Sequence, residues 1–277
     1  MLYIILPVFN RAAITEAFAK QLILNTNKDW ILVLVDDGST DNTQQVVVNH
    51  ISKDKLLILN GNGHLWWGGA LHAAYMYVKD KLDDCDNILI INDDVVIGDD
   101  YIQNGLNLLE NDKESIYISP CYSIENKNEI IDVGVLFDDA FCKFTVNKDL
   151  YSSINCCSTR GLFISSQNFM NSDGFDWANF PHYLSDYDFT LCLSKMGVRI
   201  KTSESIKLFS IQNATGMHRL PSILSPIQLL MALKSYKCSL NYHHWVRFIK
   251  KHTKNKCFFL ISLVRFHMLL IKKTFHF

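Results

Sequence analysis

Acidic side chains follow two predicted strands at the points where those strands end. Asp36 and Asp37 follow one apolar run, and Asp93 and Asp94 follow another. Mg2+ and Mn2+ prefer oxygen ligands and commonly take one or two carboxylates together with substrate phosphates and water. We therefore predict a divalent metal, Mn2+ or Mg2+, held by Asp94 with help from Asp93 and carrying a nucleotide diphosphate. The alternative is that these acids are solvated loop residues or helix caps.

The elements that must position these acids are short apolar runs alternating with segments of helical periodicity. The predicted strands are residues 2–6, 30–35, 56–59 and 88–91, and the predicted helices between them include 40–50 and 68–81. Unbroken apolar strands are typical of strands buried on both faces, and their alternation with helices indicates a parallel α/β sheet. Ligands of such sheets bind beyond the carboxyl ends of the strands, where the acids lie.

Other phosphate-binding patterns fit this sequence poorly. The segment 61–66 begins like a dinucleotide fingerprint, but Trp66 stands at the third glycine position and the segment follows the third strand instead of the first. The chain has no Gly-Lys-Ser or Gly-Lys-Thr triplet of the kind found in a P-loop. Residues 36–40 lack the second aspartate of an aspartyl-phosphate phosphatase. Dehydrogenase, kinase and phosphatase functions are therefore disfavoured.

Three motifs, taken together and in order, resemble the family-two glycosyltransferases of GT-A fold. They are Pro7-Val8-Phe9-Asn10-Arg11, Val35-Asp36-Asp37-Gly38-Ser39-Thr40-Asp41 and Asn92-Asp93-Asp94. The segment Asn62-Gly63-His64-Leu65-Trp66-Trp67-Gly68-Gly69-Ala70 is most similar to the rhamnosyltransferase-like branch that makes bacterial surface polysaccharide. The resemblance runs from residue 2 to about residue 216. It implies a Rossmann-like, mostly parallel sheet flanked by helices, to which this chain adds a basic C-terminal helical tail.

The resemblance also implies roles for individual residues of the donor site. Asp36 and Asp37 match aspartates that contact the nucleotide base and ribose. Asn92 replaces the first aspartate of the metal motif, which leaves Asp94 as the metal ligand. The residues predicted to bind the nucleotide sugar are Pro7, Phe9, Asn10, Arg11, Asp36, Asp37, Trp67, Gly68, Asn92 and Asp93.

Two interpretations stay open for the tryptophan pair at the start of the predicted helix 68–81. Trp66 and Trp67 can stack on a base or a sugar, with a phosphate near the helix start at Gly68. Alternatively, the two rings anchor the helix to the sheet.

A later segment, Tyr183-Leu184-Ser185-Asp186-Tyr187-Asp188-Phe189, resembles the Glu-Asp-x-Asp segment that carries the family's catalytic base. Ser185 replaces the glutamate, and Asp186 keeps the position of the base. From the residues alone, both aspartates are also suited to the N-terminus of the predicted helix 187–196. We prefer that capping role for Asp188 and the catalytic role for Asp186.

The implied activity is inverting transfer of a sugar from a nucleotide-diphosphate sugar to an acceptor hydroxyl. The resemblance points to a lipid-linked glycan in O-antigen, capsule or other surface polysaccharide synthesis as the acceptor, with Arg160 and Gly161 on the acceptor side. Arg160 is a candidate for a diphosphate or acceptor contact, and a surface salt bridge is the other interpretation. His218 is a candidate metal ligand, and an ordinary loop histidine is the other interpretation. Because Asn92 and Ser185 depart from the acidic pattern, a catalytically silent nucleotide-sugar binder or assembly subunit stays open.

The charge of the chain is divided unevenly along its length. The 277 residues include 27 basic and 28 acidic side chains, yet residues 205–277 hold 12 Lys and Arg and no acid. The predicted tail helices are 227–240, 245–252 and 257–271. The last is too short and too charged to span a bilayer, and it fits a helix that lies on an anionic membrane surface.

We therefore predict a catalytic domain over residues 1–220 and a basic amphipathic tail over 221–277. The predicted location is cytoplasmic, peripheral at the inner face of the cytoplasmic membrane. The eight cysteines include no Cys-x-x-Cys pair and are read as reduced thiols, which agrees with that compartment. The predicted partners are the donor, a lipid-linked or glycan acceptor and the membrane surface, without nucleic acid. Packing of the tail on the catalytic domain or in a homo-oligomer is the alternative.

Overall fold

The computed structural model describes residues 1–25, 29–150, 152–210, 224–236 and 238–274. The strands are β1 Leu2–Val8, β2 Trp30–Asp36, β3 Leu56–Asn60, β4 Asn87–Ile90, β5 Val96–Ile97, β6 Ser115–Ile118, β7 Cys121–Ser123, β8 Ile130–Asp132, β9 Val135–Asp138, β10 Lys143–Val146, β11 Leu162–Ser165, β12 Arg199–Thr202 and β13 Leu208–Ser210. The helices are α1 Ala12–Asn25, α2 Thr43–His50, α3 Trp66–Val78, α4 Tyr101–Asn111, α5 Ser166–Met170, α6 Ser185–Lys195, α7 Pro226–Lys234, α8 Tyr242–His252 and α9 Lys256–Thr274. His218 lies outside the described residues.

The central sheet has seven strands in the order β12-β6-β11-β4-β1-β2-β3. Strand β1 pairs in parallel with β2 and β4, and β2 pairs in parallel with β3. Strand β11 is antiparallel to both β4 and β6. The four strands predicted from the sequence are therefore adjacent and parallel, and the loops that follow them meet at one edge. The predicted mostly parallel α/β fold is confirmed.

Both faces of this sheet are covered by helices. Ile4 packs with the cluster that includes Phe18 of α1, whereas its neighbour Ile5 packs with the cluster that includes Leu71 of α3. Successive side chains of a strand point to opposite faces, so a strand covered on both sides needs an apolar residue at each position. This two-sided burial is the reason that the predicted strands are unbroken apolar runs.

A second sheet holds the segment that follows Asp94. It has four strands in the order β5-β13-β7-β8. Strand β5 begins two residues after Asp94 and pairs antiparallel with β13. The Ser210 hydroxyl donates to the Asp94 carbonyl oxygen at 3.2 Å. The acidic segment is thus tied to the central sheet on one side and to the second sheet on the other.

The C-terminal helices contact one another, and α8 also contacts the catalytic part of the chain. Phe248 of α8 is fully buried against Phe137, Phe180 and Leu191. Helices α7, α8 and α9 share a small apolar cluster of their own. The predicted boundary at residues 220 and 221 falls outside the described residues. In the part of the chain that the structure describes, no helix is both long and apolar enough to cross a bilayer.

Candidate active site

Side-chain hydrogen bonds join the loop after β1 to the loop after β2. The Asn10 side-chain oxygen accepts the Thr40 N–H at 2.7 Å, and the Asn10 N–H donates to the Ser39 hydroxyl at 2.9 Å. The Arg11 N–H donates to the Thr43 hydroxyl at 3.0 Å. These bonds are possible because β1 and β2 are parallel neighbours whose ends coincide. The first two sequence motifs therefore form one continuous surface.

Asp36 and Asp37 organise the loops at this edge of the sheet. Asp36 is buried and accepts the Ser39 N–H at 2.8 Å. The Asp37 carboxylate accepts three backbone N–H groups, from Gly63 at 2.9 Å, Leu65 at 3.1 Å and Trp66 at 2.9 Å. Asp37 thereby fixes the 63–66 loop next to the predicted nucleotide pocket. Contact between these two aspartates and a base or ribose stays a prediction.

Arg11 connects the first loop to the acidic pair after β4. Its Nε lies 3.1 Å from Asp93 Oδ1, and its Nη2 lies 3.3 Å from Asp94 Oδ2. The Thr15 hydroxyl donates to Asp93 Oδ2 at 2.7 Å. Burial raises the pKa of Asp93 to about 6, although the charge of Arg11 and the Thr15 hydrogen bond oppose that rise. One arginine thus balances two crowded carboxylates.

The oxygen atoms left over in this segment fit a divalent cation. Asn92 Oδ1, Asp93 Oδ1 and Asp94 Oδ1 are all buried and accept no hydrogen bond from any residue that the structure describes. A buried acceptor without a partner is costly, and an oxygen-preferring cation would relieve that cost. Arg11 contacts both carboxylates, but the Thr15 hydroxyl also occupies Asp93 Oδ2, so Asp94 is the better placed ligand of the two. A metal contact by Asp93 stays a prediction.

Asp186 lies in the first turn of α6, against the start of α3. Trp67 Nε1 donates to Asp186 Oδ1 at 2.6 Å, joining residues 119 positions apart in the sequence. Burial raises the pKa of Asp186, while hydrogen bonds from Trp67 and the Thr159 backbone and the charge of Arg160 oppose that rise. The carboxylate is therefore held by a directed hydrogen bond, while burial on balance disfavours its ionised form.

Arg160 interacts with both of these acidic centres. Burial by itself lowers the pKa of Arg160, but Cys121, Asp94 and Asp132 outweigh that effect and raise it. The same guanidinium charge acts on Asp186. Gly161, the next residue, has a φ of +79°, and a Cβ there would lie 2.6 Å from the Tyr101 hydroxyl. Glycine therefore shapes the turn that carries Arg160, whose predicted acceptor-side role is untested.

A cavity of about 690 Å³ opens at this edge of the sheet. The predicted site residues that line it are Pro7, Phe9, Arg11, Asp37 and Trp67. Asp94 and Asp186 are not among the lining residues, but each contacts one of them, Arg11 and Trp67 respectively. The acidic pair and the candidate base thus each contact a residue that lines the same cavity.

Three residues outside the sequence motifs also line this cavity. They are His182, Cys238 and Ser239. His182 directly precedes the segment 183–189 that carries Asp186, and that adjacency was the one available signal. Cys238 and Ser239 come from the tail, where the sequence carries no motif that would connect them to the site.

Asp188 lies in the first turn of α6, as the dipole argument predicts, but the predicted cap itself is wrong. The residue at the N-cap of α6 is Leu184, without a side-chain cap. Asp188 is buried, and its Oδ1 lies 2.8 Å from both Lys251 Nζ and His252 Nε2 of α8. Asp188 instead clamps α6 to α8 through an ion pair with Lys251 and a hydrogen bond with His252, whose pKa is lowered chiefly by burial.

The clamp also contains atoms of the kind that bind metals. Candidate ligand atoms of Asp188, Cys192 and His252 all lie within 4.8 Å of one another. However, Lys251 already neutralises the aspartate, and Lys195 Nζ lies 3.1 Å from His252 Nδ1. A metal ion at this point would face two ammonium groups, so we assign the cluster to structure and not to metal binding.

The family model for glycosyl transferase family 2 matches residues 3–166. The chain belongs to this family. The match includes the loops after β1, β2 and β4 and the turn at Arg160 and Gly161, whereas Asp186 lies beyond its end. No curated protein matches the sequence.

Three solved structures have folds similar to that of this family 2 chain. The mannosyltransferase PcManGT from Pyrobaculum calidifontis, in complex with GDP-Man and Mn2+, is 13% identical with a TM-score of 0.60, covering 98% of this chain and 72% of its own. GalNAc-T7 with UDP, GalNAc and Mn2+ is 12% identical with a TM-score of 0.62, and the match covers 99% of this chain and 55% of the GalNAc-T7 chain. Residues 1–349 of S. aureus TarS are 14% identical with a TM-score of 0.58, and the match covers 98% of this chain and 70% of the TarS chain. The chain therefore spans about half of the GalNAc-T7 structure, and the predicted GT-A fold is confirmed.

Proposed function

We propose that this chain transfers a sugar from a nucleotide-diphosphate sugar to an acceptor hydroxyl, with inversion at the anomeric carbon. One observation carries the proposal: a single cavity wall contains Arg11, which contacts Asp93 and Asp94, and Trp67, which contacts Asp186. Such a transfer needs an acidic pair that can hold a divalent cation and a separate carboxylate that acts as the base.

The donor would enter between the loop after β1 and the 63–66 loop. Phe9 lines the cavity and is 46% exposed, so its ring is available to a nucleotide base. Asp94, whose buried Oδ1 has no partner among the described residues, would hold Mn2+ or Mg2+. When bound, such a cation offsets the negative charge that develops on the leaving diphosphate. PcManGT with GDP-Man and GalNAc-T7 with UDP, each with Mn2+, support this assignment.

Asp186 would act as the base on the acceptor side. The acceptor oxygen forms a bond to the anomeric carbon while the bond from that carbon to the diphosphate oxygen breaks. The hydroxyl proton passes to the Asp186 carboxylate, and the nucleoside diphosphate leaves with the electron pair. Arg160, which acts electrostatically on both Asp94 and Asp186, would balance charge between the two ends of the reaction.

Two isosteric variants separate this proposal from the silent-binder alternative. A panel of nucleotide sugars is first scanned by thermal shift with Mn2+, and release of nucleoside diphosphate is then measured. Asp186→Asn is expected to keep donor binding and lose turnover, whereas Asp94→Asn is expected to lose Mn2+-dependent donor binding. Wild-type protein that binds a donor but releases no nucleoside diphosphate, with any acceptor or with water, would identify a silent binder.

We also propose that the acceptor is a lipid-linked glycan of bacterial surface polysaccharide synthesis, used at the cytoplasmic face of the membrane, as in the rhamnosyltransferase-like branch. The supporting observation is the outer face of the tail. Helix α9 packs through Phe266 and Leu270, yet it exposes apolar side chains on the opposite side. These exposed side chains are Leu260, Ile261, Val264, Met268, Leu269 and Ile271.

The charge around this apolar face favours anionic lipid over a second copy of the chain. Residues 205–277 contain no acid, so two such faces would repel each other, whereas basic residues near an anionic bilayer contribute roughly 1 kcal/mol each. The face is apolar and flanked by lysines at both ends of α9, for example Lys256 and Lys272. This pattern is typical of a helix that lies in the membrane interface.

Vesicle flotation with full-length protein tests the membrane proposal. Vesicles with phosphatidylglycerol are expected to bind the protein, and vesicles of phosphatidylcholine alone are expected to bind it weakly. Val264→Glu should reduce binding severalfold, while Val146→Glu is a matched control, because Val146 is 66% exposed on β10 and Val264 is 58% exposed on α9. Equal binding of both variants would exclude the α9 face, and a dimer in sedimentation would favour self-association.

A further inference from the structure

The two adjacent tryptophans at the start of α3 make different contacts. Trp66 donates its backbone N–H to Asp37 Oδ2 at 2.9 Å, and its ring lies 6.0 Å from that of His182. Trp67 instead donates its indole N–H to Asp186 Oδ1 at 2.6 Å. Trp66 is therefore tied to the donor-side loop, and Trp67 is tied to the candidate base.

The close approach of α3 to the start of α6 is what brings Trp67 to Asp186. The Gly68 N–H donates to the Pro181 carbonyl oxygen at 2.8 Å. A Cβ at position 68 would lie 2.5 Å from the Phe180 carbonyl oxygen and 2.8 Å from the Ser185 hydroxyl. Glycine at position 68 permits this close approach, and the adjacent Trp67 lies within hydrogen-bonding distance of Asp186.

We propose that Trp67 is a positioning residue whose indole N–H holds the Asp186 carboxylate in the orientation needed to accept the acceptor proton. This inference rests on the proposed function, because it assigns a task to Trp67 only if Asp186 is the base. The carboxylate lies in a buried environment that disfavours its charged form, and the indole N–H is a fixed donor that stabilises that form. Stacking of the Trp67 ring on the donor predicts a different result, namely weaker donor binding.

The proposal is tested by replacing the N–H while keeping an aromatic ring. Trp67→Phe is expected to lower kcat by about 10- to 100-fold, the effect of one lost hydrogen bond to a charged group. The acid limb of the kcat profile should move to higher pH, because loss of the donor raises the pKa of Asp186. The KM for the donor should stay unchanged. Trp177→Phe is the matched control, since Trp177 is 48% exposed and lies outside the donor cavity.

A second variant tests the hydrogen bond itself. It also keeps the proposal testable if the Trp67→Phe variant folds poorly. Trp67→His keeps a ring N–H, because histidine Nε2 takes the same place in its five-membered ring as tryptophan Nε1. This variant is expected to recover part of the lost rate and return the acid limb toward its wild-type position.

Three outcomes would overturn the inference about Trp67 and leave the proposed function standing. They are a Trp67→Phe enzyme with normal kcat, a slow one whose acid limb does not move while the donor KM rises, and a Trp67→His enzyme no faster than Trp67→Phe. Asp186→Asn is measured alongside. Normal turnover of that variant would show that Asp186 is not the base and would therefore refute the proposed function. The failure of the inference and the failure of the proposed function are thus distinguishable.

Discussion

Phe248 of α8 provides a direct test of whether the tail belongs to the catalytic fold. Its side chain is fully buried, and its ring centroid lies 5.9 Å from that of Phe137 and 5.8 Å from that of Phe180. Truncation of a buried phenylalanine to alanine typically costs about 3–5 kcal/mol, because apolar contacts are lost and a cavity remains. We expect Phe248→Ala to destabilise the whole chain by that amount.

The expected change in melting temperature follows from the size of the chain. Unfolding entropy is about 2.1 cal/mol/K per residue, which gives roughly 0.6 kcal/mol/K for 277 residues. The Phe248→Ala variant should therefore melt about 5–9 °C lower in differential scanning calorimetry, in a single transition.

Phe141→Ala is the matched control, because Phe141 is 43% exposed and its truncation should cost little. The reasoning fails if Phe248→Ala leaves the main transition in place and shifts only a separate, smaller one. That result would mean that residues 221–277 fold as an independent unit.

Two further substitutions, each with a matched control, test contacts close to the site. Asp188→Asn removes the shared anionic partner of two basic groups on α8 and should lower the free energy of unfolding in urea by about 2–3 kcal/mol, since one of those groups is partly exposed. Glu114→Gln, in an exposed pair, should change it by less than about 0.5 kcal/mol, and equal effects would argue against the clamp. Gly68→Ala should cost about 1–3 kcal/mol and reduce kcat, because its Cβ would lie 2.5 Å from the Phe180 carbonyl oxygen. Gly69→Ala should be neutral or stabilise by up to about 1 kcal/mol, since its nearest neighbour is a side chain at 3.4 Å, and the same sign for both glycines would contradict the close-approach argument.

The parallel strands and the loops after them were predictable from local sequence alone. An unbroken run such as 30–35 reports burial on both faces, and a carboxylate directly after it must lie at the carboxyl edge of the sheet. The structure confirms that the acids after β2 and β4 share this edge with Arg11. Local order along the chain is sufficient here, because parallel neighbours align their ends.

The role of Asp188 could not be predicted in this way. Its position in the first turn of α6 favoured a cap, but its partners Lys251 and His252 lie 63 and 64 residues further along the chain. A sequence pattern reflects interactions between residues a few positions apart, and it does not indicate that α6 and α8 pack together. The lining of the cavity by Cys238 and Ser239 was hidden for the same reason.

The sequence by itself determined the sheet, the edge at which the chemistry lies and the residue types available there, because strand burial and helix periodicity are local properties. Only the tertiary structure decided which of those residues touch. It paired Trp67 with Asp186, engaged both Asp93 and Asp94 with Arg11, and packed α8 against α6 at Asp188. Such contacts depend on how helices approach one another, and that approach is set by packing between residues far apart in the chain.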